Sequence, residues 1–143
     1  MEPRVVEVTG DLFTCPSTHS LAHCISADCR LGKGIAAIFK RKFGGISELL
    51  AQRKKPGEVA VLRRGSRYVY NLITKHKYYE KPTYETLRRA LSAVKEHCVT
   101  HEVRHLAMPR IGCGLDGLTW DRVLPIIKDV FQDCCVQVEI FSL

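Results

Sequence analysis

Three glycines fall within six positions in the segment Met108-Pro109-Arg110-Ile111-Gly112-Cys113-Gly114-Leu115-Asp116-Gly117. Without Cβ atoms such a loop reaches positive φ and brings its N–H groups against a ligand, and a helix starting just beyond adds the partial positive charge that phosphates seek. Asp116 places an acid–base group inside the same loop. A plain strand-to-helix turn uses glycines in the same way. A second loop, Arg30-Leu31-Gly32-Lys33-Gly34-Ile35, also follows an apolar run and also opens into a helical pattern.

Few other residues have the setting for chemistry. Lys75 ends the apolar run Val69 to Thr74, so it emerges at a strand end, where it is either a reactive amine or a solvated terminus. Asp11 follows Gly10 directly after the first strand and is either a ligand acceptor or the cap of a turn. His97, His101 and His105 are spaced like helical metal ligands, but the helix ends near His101 and no carboxylate or cysteine set completes a site, so no metal is expected. Cys113 has no histidine visibly paired with it and suits backbone geometry better than nucleophilic attack. Trp120 and the pair Tyr78-Tyr79 have the shape to stack on a base, though core packing accounts better for the tryptophan and loop surface for the tyrosines.

Alternating elements must position these residues. The sequence predicts strands over Arg4 to Thr9, Ser20 to Ser26, Glu58 to Arg63, Arg67 to Ile73, Arg104 to Met108 and Val136 to Phe141. Helices are predicted over Gly34 to Phe43, Ile46 to Lys54, Thr83 to Cys98 and from Thr119 onward, with Pro125 expected to bend the last or delay its start. Gly65-Ser66 reads as a hairpin that makes part of the sheet antiparallel. A sheet covered by helices on both faces binds ligands at the carboxyl ends of its strands, where both glycine loops open.

Composition bounds the function classes. The chain of 143 residues has 45% hydrophobic and 26% charged residues, ordinary globular proportions for one domain, and no run approaches a membrane span. Met1-Glu2-Pro3-Arg4 has no basic-then-apolar leader pattern, so nothing here argues for secretion. Seven cysteines without a CxxC pair fit reduced thiols rather than a disulfide framework. The net charge of +7 favours anionic partners, while the clusters Lys40-Arg41-Lys42, Arg53-Lys54-Lys55 and Arg63-Arg64 are short and scattered.

Taken together, Gly10-Asp11-Leu12, Ala22-His23-Cys24-Ile25-Ser26, Gly32-Lys33-Gly34-Ile35 and Pro109 to Asp116 resemble a macrodomain, nearly end to end. Asn71-Leu72-Ile73-Thr74-Lys75 and Gly114-Leu115-Asp116 narrow the likeness to small hydrolytic macrodomains that carry a reactive lysine and aspartate at these positions. The resemblance implies an α/β fold, a three-layer α/β/α sandwich around a mixed, mostly parallel sheet, with residues 1–143 as a single domain that binds ADP-ribose. By that likeness Asp11 accepts from the adenine amino group and Leu12 lines the base pocket. Ser26 joins the substrate-binding residues, and the loop with Gly32, Gly34 and Ile35 bounds the distal ribose. Arg110, Ile111, Gly112, Cys113, Gly114 and Leu115 hold the diphosphate, and Leu143 closes the adenine end. Phe141 departs from the tyrosine of such relatives and loses a hydroxyl near the base.

The implied activity is removal of ADP-ribose ester-linked to glutamate or aspartate, with Lys75 as nucleophile and Asp116 as general base. Release of acetate from O-acetyl-ADP-ribose is the implied second activity, and neither route calls for a metal or cofactor. The expected partners are ADP-ribose and ADP-ribosylated proteins, with poly(ADP-ribose) or nucleic acid on the basic surface, no membrane, and a monomer by default. The expected compartment is the nucleus, nucleolus included, with the cytoplasm second. A non-catalytic reader of ADP-ribose and a basic nucleic-acid-binding module remain the alternatives.

Overall fold

The computed structural model describes residues 4–143, so Met1 to Pro3 of the opening segment lie outside the described residues. Its strands are β1 (Val5–Thr9), β2 (Ser20–Ser26), β3 (Val59–Arg64), β4 (Arg67–Lys75), β5 (His105–Pro109) and β6 (Gln137–Ser142). The helices are α1 (Gly34–Phe43), α2 (Ile46–Ala51), α3 (Tyr84–Thr100) and α4 (Trp120–Phe131). The six strands form one sheet in the order β1-β6-β5-β2-β4-β3, parallel throughout except where β3 meets β4. Among the described residues no helix is long and apolar enough to cross a membrane.

Alternation along the inner strands builds two cores, one on each face. Ala22, Tyr70, Leu72, Leu106, Met108, Val138 and Ile140 project into a cluster with Leu87, Leu91 and Val94 of α3 and Val123 and Ile127 of α4. Their neighbours Leu21, Ile25, Val69, Ile73 and Ala107 project the other way, onto Phe39 of α1 and Leu49 of α2. The sheet is therefore covered on both sides, which fixes the strand ends as the place left open for a ligand.

Local signals explain the boundaries. Thr83 caps α3 reciprocally with Thr86, at 3.0 and 3.2 Å. The β3–β4 hairpin closes on the pair Arg64 and Arg67, and Gly65 supplies the turn with φ of +63°. Helix α2 stops at Ala51, short of the expected Lys54, because the amide of Gln52 bonds both backbone groups of Val61 at 2.8 and 3.0 Å. That side chain occupies the outer side of edge strand β3 in place of a further strand. Strand β4 outruns its expected end at Ile73, since its pairing with β2 continues to Lys75. Pro125 does not delay α4, which starts at Trp120 and carries the proline inside.

Candidate active site

Parallel pairing sends the carboxyl ends of β2, β4 and β5 to the same rim. Along β2 and β4, Ile25 pairs with Ile73 but Ser26 pairs with Lys75, so Thr74 is an extra residue on β4. Such a bulge breaks the in–out alternation and re-aims the side chain that follows it. Beyond β5, Gly112 has φ of +74°, and a Cβ there would lie 2.8 Å from Leu118 Cδ1. Leu118 N–H donates to the Gly112 carbonyl at 2.8 Å, folding the loop back so that the short 3-10 turn Gly114–Asp116 faces β4.

The result is a contact between two residues 41 positions apart. Lys75 Nζ lies 2.7 Å from Asp116 Oδ1, with side-chain exposures of 13% and 19%. Both line a cleft of about 770 Å³, together with Ser26, Gly32, Gly34 and Ile35 from one side and Arg110, Ile111, Gly112, Cys113 and Leu115 from the other. An amine, a carboxylate and two glycine loops thus line one cleft. The pair stands where an electrophile bound in the cleft meets an amine and an acid–base group together.

In the loop expected to hold a diphosphate, two N–H groups are turned inward. Ile111 and Cys113 direct their N–H groups to the carbonyls of Pro109 and Arg110, at 2.8 and 3.3 Å, inside the loop itself. Gly114 opens the short turn and is not part of the cleft lining. Burial pushes the Cys113 thiol up, Arg110 opposing and Asp116 adding to it, so the thiol is a poor nucleophile. Cys24 is pushed up further by its own burial, with the Asp116 charge adding to it.

The remaining expected residues lie toward β1 and β6, outside the cleft lining. Asp11 caps a short 3-10 turn, accepting the Phe13 N–H at 2.9 Å, and Gly10 N–H ties it to the end of β6 through Ser142 at 2.8 Å. Leu12 and Phe141 are buried in the α1–α2 core, whereas Leu143 stands fully exposed past β6. Four strand spacings separate β1 from β4 in the sheet, about 19 Å, which suits an extended dinucleotide-like ligand. Trp120 packs against the other core and donates from Nε1 to Glu7 at 3.0 Å.

The Macro domain family model matches residues 22–127. The chain belongs to the macrodomain family. It is 56% identical over 140 residues to the proteins named ADP-ribose glycohydrolase OARD1 of Bos taurus and of Homo sapiens, covering 98% of this chain and 92% of each relative. Among solved structures it is similar to the macrodomain of Thermus aquaticus DarG, with a TM-score of 0.88 and 25% identity over 97% of this chain and 98% of that one. The three-layer architecture around a mostly parallel sheet is the macrodomain fold.

Within this macrodomain the cleft also contains residues beyond the expected substrate-binding set. His23 is fully buried and stacked on Phe39 at 3.7 Å between ring centroids, and its Nε2–H donates to Asn71 Oδ1 at 2.6 Å. Burial depresses its pKa to about 4, against the opposing hydrogen bond from Asn71, so the ring is neutral. Tyr78 and Tyr79, expected on a loop surface, are exposed and line the mouth. Asp28 organises that mouth by accepting from the Ser26 hydroxyl and from the N–H groups of Tyr78 and Arg30. Burial alone would raise the Asp28 carboxyl, but these three donors outweigh it and hold it below its ordinary value. Lys81 reaches across from the β4–α3 segment to the carbonyl of Leu115 at 2.7 Å. Only the folded sheet brings these positions together, and no spacing rule signals them.

Proposed function

We propose that this macrodomain is an ADP-ribose glycohydrolase that removes mono-ADP-ribose ester-linked to glutamate or aspartate of proteins. The observation that carries the reading is the 2.7 Å contact of Lys75 with Asp116 at the wall of the cleft. The 56% identity to proteins named ADP-ribose glycohydrolase supports the same activity here.

The chemistry starts with a proton. Asp116 takes one from the Lys75 ammonium, freeing the lone pair, which attacks the anomeric carbon of the distal ribose. The new C–N bond forms as the C–O bond to the carboxyl breaks, and the carboxylate leaves with the electron pair. Asp116 then manages the protons of an attacking water. Its oxygen bonds to the same carbon, the C–N bond breaks and the amine regains a proton, releasing ADP-ribose. Asp11, with Oδ2 left unbonded among the described residues, accepts from the adenine amino group, and the Gly112 loop holds the diphosphate. O-acetyl-ADP-ribose presents an ester at the same ribose and is the second substrate.

Mass spectrometry of a glutamate-linked mono-ADP-ribosylated peptide tests the reading. Incubation with the protein yields free ADP-ribose and unmodified peptide, and Asp116→Ala slows this about a hundredfold or more. A non-catalytic reader would bind ADP-ribose tightly and leave the peptide intact.

A further inference from the structure

On the glycohydrolase reading, whatever is joined to ADP-ribose through the reacting bond leaves the cleft past Lys75, beside the segment that follows β4. The surface there is aromatic and cationic. Arg30 Cζ stacks 4.5 Å from the centroid of the Tyr78 ring, and Tyr79 meets Tyr78 edge-on at 5.4 Å. The two tyrosines are 49% and 70% exposed, an apolar area out of place on a surface that touches nothing. Their backbone is fixed, since Asp28 accepts from Tyr78 N–H at 3.1 Å and Arg30 N–H at 3.3 Å.

The nearby acids do not pair with the Arg30 and Lys33 side chains. Asp28 is turned onto those donors, and Glu80 accepts the Lys77 N–H at 2.8 Å. Among the described residues Arg30 and Lys33 have no carboxylate partner, and the Lys81 ammonium rests on a carbonyl. Positive charge therefore stands unpaired where the polypeptide side of a substrate must lie.

We propose that Arg30, Lys33, Tyr78 and Tyr79 form a docking surface for the polypeptide flanking the modified side chain, and that it selects segments with further carboxylates beside the modified one. The inference rests on the glycohydrolase reading and names the substrate segment that site takes. The guanidinium and ammonium pair with flanking carboxylates, and the fixed tyrosine rings give the peptide backbone a rigid floor.

The experiment compares two mono-ADP-ribosylated glutamyl peptides, one with aspartate and glutamate flanks and one with serine and glycine flanks, on the parent and on the double variant Arg30→Glu, Lys33→Glu. The parent favours the acidic peptide about tenfold in kcat/KM, mainly through KM, and the preference shrinks as salt is added. The double variant loses the preference, and its losses on the neutral peptide and in ADP-ribose affinity are at least about threefold smaller than its loss on the acidic peptide. Tyr79→Ala, with a thermal melt as a control for folding, weakens both peptides alike by about threefold. Equal rates on both peptides in the parent overturn the proposal, as does a preference that survives the charge reversal. An equal loss of ADP-ribose affinity assigns the cations to the nucleotide instead. Competition by a single-stranded oligonucleotide that the charge reversal abolishes, with no peptide preference in the parent, makes the rim a nucleic-acid site and likewise overturns it. If neither peptide turns over, the glycohydrolase reading has failed, and peptide affinities read by fluorescence anisotropy still decide the docking surface.

Discussion

Two concave regions of this macrodomain collect chemically capable side chains, and they differ in what those side chains bond to. In the groove of about 470 Å³ beside the end of α3, His97 and His101 come from one helix and stack at 3.8 Å. Each is occupied by its own surroundings: Cys98 donates to the Tyr70 hydroxyl, that hydroxyl bonds His97 Nδ1 at 2.7 Å, and His101 Nδ1 donates to the His97 carbonyl at 3.0 Å. Burial, and then the neighbouring His101, lowers the His97 pKa and keeps it neutral. In the cleft of about 770 Å³, Lys75 and Asp116 come from separate elements and bond each other beside open space. Residues spaced along one helix satisfy one another locally, whereas a reactive pair needs two carriers that the sheet brings together.

The largest expected effect separates the two regions directly. Lys75→Ala lowers kcat on the ester-linked substrate by at least about a thousandfold while ADP-ribose affinity, read by calorimetry, stays within about threefold. His97→Ala leaves kcat within about twofold. Similar losses from both variants would erase the distinction.

Acid sharpens the comparison from the side of stability. The folded pKa of His23, about 4, lies below the unfolded value of 6.5, so the unfolded chain takes up a proton first as pH falls. Its contribution is fully present above pH 6.5 and is lost between there and about pH 4. Urea unfolding at pH 7.5 and 5 should differ by about 2 kcal/mol from this residue, and His23→Gln should flatten that part of the profile. His97 and His19, both lowered chiefly by burial, act in the same direction.

Gly112→Ala probes the loop that carries Asp116. Its positive φ and the 2.8 Å approach to Leu118 predict a loss of about 1–2 kcal/mol in urea unfolding and weaker ADP-ribose binding, because the loop must shift to admit a methyl group. The smallest effect falls again in the groove. His97→Ala removes the partner of a buried tyrosine hydroxyl and costs about 1 kcal/mol of stability.

Much of this arrangement was legible in the chain itself. Ser20–Ser26 and Gly34–Phe43 have the bounds that an apolar run and a helical stripe stopped by Gly44-Gly45 indicate. Elements set by tertiary contacts were less legible. Gln52 ends α2 early because it bonds β3, and β4 runs past Ile73 because β2 continues beside it. At the site, the glycine loops announced backbone chemistry, but the closeness of Lys75 and Asp116 follows from strand order and from a bulge at Thr74 that periodicity does not reveal. The burial of Leu12 and Phe141 and the contacts of Arg30 and Lys81 depend equally on the folded sheet.

The central claim is that the Lys75 amine bonds covalently to the distal ribose with Asp116 managing its proton. The lysyl ribosylamine opens its ring C–O bond to an imine with a free hydroxyl, and borohydride added during turnover of a glutamate-linked mono-ADP-ribosylated peptide, followed by proteolysis and mass spectrometry, traps it and tests this most directly. The account predicts an ADP-ribose adduct on the peptide containing Lys75, absent from Lys75→Ala. Full turnover with no adduct, or with an adduct on a different residue, contradicts it.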